Sequence, residues 1–95
     1  MAYIRLSIAR PRRGQEARLA EIMNKLAAVA EKQAGCQQTF VLKSGDDSGD
    51  LARITVYTDR AAGEAAANDA SMMALRSEMH LIVEPDHQER AFFSL

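Results

Sequence analysis

The chain has 95 residues, of which 47% are hydrophobic and 26% charged, which is typical of one folded domain over 1–95 and excludes a disordered chain. A formal net charge of −1, from 12 basic and 13 acidic residues, argues against nucleic acid or an anionic membrane as a partner. The single cysteine, Cys36, excludes an intrachain disulfide. With no secretory signal pattern and no apolar run of membrane-spanning length, these features predict a cytoplasmic protein.

Hydrophobic periodicity divides the chain into alternating strands and helices. In chain order it predicts a strand at 3–9, a helix at about 15–34, strands at 36–43 and 51–58, helical pieces at about 60–68 and 71–84, and a strand at 88–95. Gly35 is expected to stop the first helix and Pro85 the last one. Thr58 or Asp59 is the expected N-cap of the second helical region. The polar residues 44–50 predict a hairpin loop.

The order β-α-β-β-α-β predicts an α+β, ferredoxin-like antiparallel sheet with its helices on one face. We expect the helices to cover the apolar positions of the first and third strands, which are Ile4, Leu6, Ile8, Ile54 and Val56. The opposite face would then carry Tyr3, Arg5, Ser7, Arg53, Thr55 and Tyr57. Both faces of the second and fourth strands are apolar, so alternation does not show which residues of these strands lie opposite the helices. In the second strand the choice is between the pair Phe40 and Leu42 and the single residue Val41, and in the fourth strand it is between Phe92 and Phe93.

A sheet face left bare by the helices is expected to be covered by an identical sheet, which predicts a homodimer and a dimeric α/β barrel. Two such sheets would enclose a cavity lined by Tyr3, Arg5, Arg53 and Tyr57. Arginine suits a carboxylate or an enolate oxygen, and tyrosine can donate to a carbonyl or phenolate. The alternative is that these arginines only pair with acidic residues of the partner at the rim.

Other chemical signals in the sequence are weak. The two histidines, His80 and His87, have no second ligand at helical spacing, so no metal site is predicted. His80 either borders the pocket or lies on the helix surface, and His87 is expected to be exposed in a turn. No phosphate-binding glycine motif and no nucleophilic triad is evident. Cys36 is expected to be a small buried residue, and the basic run 10–13 a solvated loop or, alternatively, an anion site at a helix start.

Three segments carry a resemblance to a known family. They are Ala34-Gly35-Cys36 with the strand that follows, the strand 51–59, and the helical region that opens with Arg60-Ala61-Ala62 and closes at Asn68-Asp69-Ala70-Ser71. Together they make the chain similar, over 3–93, to the antibiotic-biosynthesis monooxygenase family of dimeric α/β barrels. The resemblance implies a homodimer with a ligand cavity in each subunit, between sheet and helices.

The sequence departs from the pattern of that family at three positions. The tryptophan usual after the third strand is Tyr57, and the helix histidine is missing, with Ala66 and Asn68 near its place. The first strand offers Arg5 and Ser7 where the haem-degrading branch has an asparagine. These departures argue against haem breakdown.

The leading hypothesis is a cofactor-independent monooxygenase that acts on a small aromatic or quinol-type substrate. Its expected catalytic residues are Arg53, Tyr57 and His80, with His80 the only candidate base. Its expected substrate-binding residues are Tyr3, Arg5, Ser7, Thr55, Asn68 and Met72. No cofactor and no metal are expected.

Two alternatives remain open from the sequence. One is a non-catalytic ligand-binding or stress-related dimer, and the other is a small-molecule isomerase acting on a phosphorylated or carboxylated compound. An open pocket on which Arg5, Arg53 and Tyr57 converge would favour ligand handling. A filled barrel with both arginines at its rim would favour a structural role.

Overall fold

Seven elements build the protein in the computed structural model, which describes residues 1–95. They are β1 (Tyr3–Ala9), α1 (Glu16–Glu31), β2 (Cys36–Lys43), β3 (Leu51–Tyr57), α2 (Arg60–Ala67), α3 (Ala70–His80) and β4 (Gln88–Phe93). The strands form one antiparallel sheet in the order β2-β3-β1-β4. This arrangement confirms the predicted α+β, ferredoxin-like fold.

The end of α1 shows why a glycine is needed where the helix turns into β2. Gly35 has a φ of +82°, a left-handed conformation that side chains disfavour. A Cβ at this position would lie 2.6 Å from the Cβ of Ala62, so α2 also packs too closely for any larger residue. The helix itself ends at Glu31, three residues before the predicted end.

The two short helices begin at aspartate caps. The side chain of Asp59 accepts a hydrogen bond from the N–H of Ala62 at 2.9 Å, and that of Asp69 accepts one from Met72 at 3.1 Å. Each carboxylate therefore satisfies one of the free N–H groups of its helix, and its negative charge interacts favourably with the positive end of the helix dipole. Of the two N-caps expected for the second helical region, Asp59 is the one observed.

The predicted end of the last helix at Pro85 was wrong, because α3 already ends at His80. Residues 82–84 pair with the segment after β1 instead of continuing the helix. The N–H of Arg12 donates to Ile82 and the N–H of Glu84 donates to Arg10, both at 2.8 Å. These long-range hydrogen bonds satisfy the backbone in place of the missing helical turn.

The helices cover the sheet face opposite to the one predicted. The helices bury the face that carries Tyr3, Ser7, Arg53, Thr55 and Tyr57. The apolar face that was expected to meet the helices lies on the other side of the sheet. The hydrophobic core lies mainly between α1, α3 and the near end of this face, and consists of Ala9, Leu19, Ile22, Met23, Leu26, Ala30, Met72, Met79 and Val83. The prediction that these polar residues line a cavity between two sheets is therefore wrong, because they lie between the sheet and the helices of one subunit.

No helix covers the outer face of the sheet. It carries the apolar residues Ile4, Leu6, Ile8, Phe40, Leu42, Ile54, Val56 and Phe92. The pairing register shows which residues of β2 and β4 lie on each face. Val41 packs against the core, and the ring centroid of Phe93 lies 5.3 Å from that of Tyr3, so these two residues are on the helix side. None of the helices is long and apolar enough to cross a membrane.

Candidate functional site

A small cavity lies between the sheet and the two short helices. β1 and β3 supply Arg5, Ser7, Arg53 and Tyr57 to its wall, and the other side-chain walls come from α2, α3 and β4. Arg5, Arg53 and Tyr57 therefore converge on one space. Its free volume is about 20 Å³, which is room for about one water molecule.

Arg53 is the most unusual residue of the cavity, because it is a charged side chain that is only 7% exposed. One of its terminal nitrogens, Nη1, donates to Thr55 Oγ1 at 3.0 Å, and its Nε–H is buried without an acceptor. Burial lowers its pKa, although a guanidinium remains charged in proteins. No carboxylate pairs with it, so a buried cation with a free donor faces the cavity.

The charges around the cavity add up to an excess of positive charge. Its wall holds three arginines, Arg5, Arg53 and Arg76, and one acid, Glu89, so the formal charge of the lining is +2. Glu89 is paired with Arg5, with Oε2 3.3 Å from Nη2. Arg76 Nη2 donates to the carbonyl of Ala67 at 2.6 Å, which holds this guanidinium against the end of α2. An anion is the ligand that such a lining favours.

Two tyrosines on neighbouring strands close one end of the site. Tyr3 and Tyr57 are paired in the sheet and buried against Ala66. Burial raises the pKa of Tyr57 in spite of the nearby Arg53, so its phenol stays protonated near neutral pH and can donate a hydrogen bond. Tyr57 borders the cavity, whereas Tyr3 lies behind it and contacts Phe93.

His87 contacts the cavity wall through Ser7, and the expectation that His87 is exposed was wrong. Its Nε2 lies 3.1 Å from Ser7 Oγ and 3.6 Å from Glu89 Oε1, and its side chain is 11% exposed. Burial lowers its pKa, which keeps the imidazole neutral at pH 7. Ser7 and Glu89 approach the same ring nitrogen, so they do not form the relay of a nucleophilic triad, which needs both nitrogens.

The remaining predicted site residues lie at different distances from the cavity. Met72 lines it, and Thr55 lies behind Arg53, where its hydroxyl also contacts Thr39 Oγ1 at 3.0 Å. Asn68 is exposed at the end of α2, outside the cavity wall. His80 is exposed at the end of α3, with its ring 5.1 Å from that of His87, and it lines a separate surface hollow with Glu89.

Five residues of the cavity wall were not predicted as site residues: Leu6, Gly63, Ala67, Arg76 and Glu89. Arg76 follows Met72 by four residues and thus lies on the same helix face, a spacing that could have revealed it. Gly63 is the one glycine in an alanine-rich helix, a signal of close packing. Glu89 gives no comparable signal, because its position depends on how β4 pairs with β1.

Two features considered in the sequence lie elsewhere and have structural explanations. Arg10, the first residue of the basic run, pairs with Asp50 at 3.0 Å and with Asp86 at 3.7 Å, so it links the hairpin to the last connection. Cys36 is only partly buried and does not line the cavity. Burial raises the pKa of its thiol, which makes it a poor nucleophile.

Comparison with solved structures places this fold among known proteins. The protein Rv0793 from Mycobacterium tuberculosis superposes with a TM-score of 0.91 at 15% identity, over 100% of this chain and 96% of that one. SnoaB from Streptomyces nogalater, described as a cofactor-independent oxygenase, gives 0.85 at 16% identity, over 99% and 93%. PA3566 from Pseudomonas aeruginosa gives 0.85 at 18% identity, over 99% and 94%.

At these identities the structural matches show the fold alone, and the sequence comparison adds the family. No curated protein matches the chain significantly. The profile of the family described as antibiotic biosynthesis monooxygenase matches residues 1–77, which include β1, β3 and the arginines of the cavity. The chain therefore belongs to the antibiotic biosynthesis monooxygenase family.

Proposed function

We propose that this protein is a cofactor-independent monooxygenase that acts on a small aromatic quinol or a related enolisable substrate. The substrate binds as its anion in the cavity between the sheet and the helices. Arg5 and Arg53 stabilise the negative charge, and Tyr57 donates a hydrogen bond to a substrate oxygen. The family and the fold shared with SnoaB support this class of reaction.

The observation that carries the proposal is the buried guanidinium of Arg53. Its Nε–H has no acceptor and no acid neutralises it, in a lining with an excess of positive charge. Such a group is costly unless a ligand with an anionic oxygen binds to it. Because the free volume is about 20 Å³, an aromatic ring can enter only if the walls of the cavity move apart.

The proposed proton path runs through Ser7 to His87, which replaces His80 as the candidate base. Ser7 lines the cavity, and its hydroxyl lies 3.1 Å from His87 Nε2. A neutral imidazole accepts the hydroxyl proton of Ser7 while Ser7 takes the proton of the substrate. His80 is separated from the cavity and borders a different hollow.

The reaction balances without an added reductant. The substrate gives one proton to His87, and the resulting anion forms a C–O bond with dioxygen. The peroxide takes the proton back, and its O–O bond breaks with loss of water. One oxygen atom stays on the product, the other leaves as water, and all four electrons that reduce dioxygen come from the substrate.

The test is oxygen uptake by the tag-free protein in EDTA with a dihydroxynaphthalene as substrate. We expect one labelled oxygen atom from ¹⁸O₂ in the product. The double variant Arg53→Ala, Tyr57→Phe should be slower by about 100-fold or more. Arg60→Ala, which removes an exposed arginine of α2, is the matched control and should keep the full rate. Equal rates in the wild type and the double variant would refute the assigned site.

A non-catalytic anion-binding protein is the second candidate, and the small volume of the cavity favours it. The same arginines would then hold a carboxylate or phenolate without chemistry. Calorimetric binding of a hydroxynaphthoate that depends on Arg53, together with no enzyme-dependent oxygen uptake, would support this function. Oxygen uptake that depends on Arg53 would exclude it.

A further inference from the structure

A second cluster of chemically active side chains lies beside the cavity, where the last helix, the last connection and the last strand meet. It consists of His80 at the end of α3, His87 in the connection and Glu89 on β4. One ligand atom from each residue can be chosen so that all three lie within 4.8 Å of one another. We propose that His80, His87 and Glu89 form a binding site for a divalent transition-metal ion of the zinc class.

The geometry of the pair His87 and Glu89 is close to that of two ligands on one ion. His87 Nε2 and Glu89 Oε1 are 3.6 Å apart, and two ligands of a tetrahedral zinc ion lie about 3.4 Å apart. Glu89 is paired with Ser7 in the sheet, and His87 contacts the Ser7 hydroxyl, so both side chains lie on the helix side of the sheet. His80 is exposed and can complete the set by a side-chain rotation.

The chemistry of the donor set also fits such an ion. Two imidazoles and one carboxylate are common ligands of zinc sites that leave a fourth position for water. Arg5 holds Glu89 through Oε2, which leaves Oε1 directed at the histidine, an outer contact of the kind that orients metal ligands.

The metal site is a separate proposal from the oxygenase, but two residues link it to the cavity: Glu89, which lines the cavity, and His87, which contacts Ser7. A metal ion on Nε2 takes the nitrogen that Ser7 contacts at 3.1 Å, so the Ser7 hydroxyl has to turn away. An ion bound there would therefore inhibit any proton transfer from Ser7 to His87. Binding itself does not require turnover and is measured without a substrate.

The experiment titrates Co²⁺ into tag-free protein that has been treated with EDTA and desalted, and follows the visible absorption of the ion. Zn²⁺ binding is then measured by calorimetry. We expect one ion per chain. His80→Gln, His87→Gln and Glu89→Gln should each weaken binding by about tenfold or more. His80→Gln is the decisive variant, because an exposed side chain can be replaced without loss of folding, which circular dichroism verifies.

Two matched controls locate the ion. Glu84→Gln removes an acid outside the cluster, at a residue whose backbone carbonyl accepts a hydrogen bond from the N–H of His87. Cys36→Ser removes the one thiol. Both variants should bind the ion as the wild type does. The proposal is overturned if the wild type takes up less than one ion per chain, if the three cluster variants bind as tightly as the wild type, or if Cys36→Ser loses the ion.

Discussion

At the scale of single residues, His87 shows how strongly the surroundings change a side chain. In the unfolded chain it is an ordinary histidine, whereas in the fold it is largely buried beside Ser7 and Glu89. Burial lowers its pKa below the ordinary value of 6.5, and the positive charge of His80 acts in the same direction, while Glu89 opposes the shift. The folded protein therefore resists protonation of this ring.

This shift has a defined effect on stability. As the pH falls through 6.5, the unfolded chain binds a proton that the folded chain does not, so the unfolding free energy falls until the lower pKa of the folded state is reached. Urea unfolding at a series of pH values should show a smaller fall for His87→Gln. The exposed-histidine variant His80→Gln should keep most of the pH dependence. Identical pH profiles for the wild type and His87→Gln would contradict the shift.

At the scale of elements, α2 decides how closely the short helices approach the sheet. Its Gly63 faces the two tyrosines, and a Cβ there would lie 2.5 Å from Tyr3 Cδ2 and 3.3 Å from Tyr57 Cδ2. The ring of Tyr3 is buried and cannot move aside without disturbing Phe93 and the neighbouring strand. The glycine therefore determines the depth of the cavity, which it also lines.

Gly63→Ala tests this packing. Alanine gains about 1 kcal/mol of helix propensity over glycine, but the forced displacement of a buried ring should outweigh that gain. We expect a net loss of about 1–2 kcal/mol in the unfolding free energy, measured by urea denaturation. Gly45→Ala is the control, because a Cβ at that loop position meets no atom within 4 Å. A variant of Gly63 as stable as the wild type would show that α2 can shift freely.

At the scale of the whole molecule, the outer face of the sheet is the largest feature without a partner. Phe40 is 46%, Leu42 41% and Phe92 40% exposed on this face. It also carries Ile4, Leu6, Ile8, Ala52, Ile54 and Val56, with Gln38, Gln88 and Arg90 on the two edge strands. Monomeric proteins rarely expose a continuous apolar surface of this kind. An identical sheet covers it most simply, so we expect a twofold dimer.

The assembly state is measurable directly. Sedimentation should give a dimer of about 21 kDa, twice the chain mass of 10.5 kDa. Phe40→Asp should shift it to the monomer, because a carboxylate would be buried without a partner in the interface. Leu81→Asp, at a position 79% exposed on the helix side, should remain dimeric. A wild-type chain that sediments as a monomer in dilute solution would contradict the prediction of a dimeric barrel.

Some features could be predicted from local patterns because their causes are local. β1 begins and ends where the alternation predicts, since a period of two identifies a strand without reference to the rest of the chain. β2 has the predicted bounds because Gly35 and the polar loop 44–50 lie directly on either side of it. Asp59 caps α2 because the cap and the N–H groups that it satisfies are neighbours. The end of α3 could not be found in this way, since long-range hydrogen bonds to residues 10 and 12 replace its last turn.

By itself the sequence determined the element order, the ferredoxin-like sheet and the concentration of arginine and tyrosine on one face of β1 and β3. Only the tertiary structure decided which face the helices cover, because alternation assigns residues to two faces without saying which is inside. The apolar face points outward and the arginine face inward, the reverse of the expectation. The His87 and Glu89 contacts likewise depend on β4 returning beside β1, a pairing of residues about 80 positions apart that no local pattern encodes.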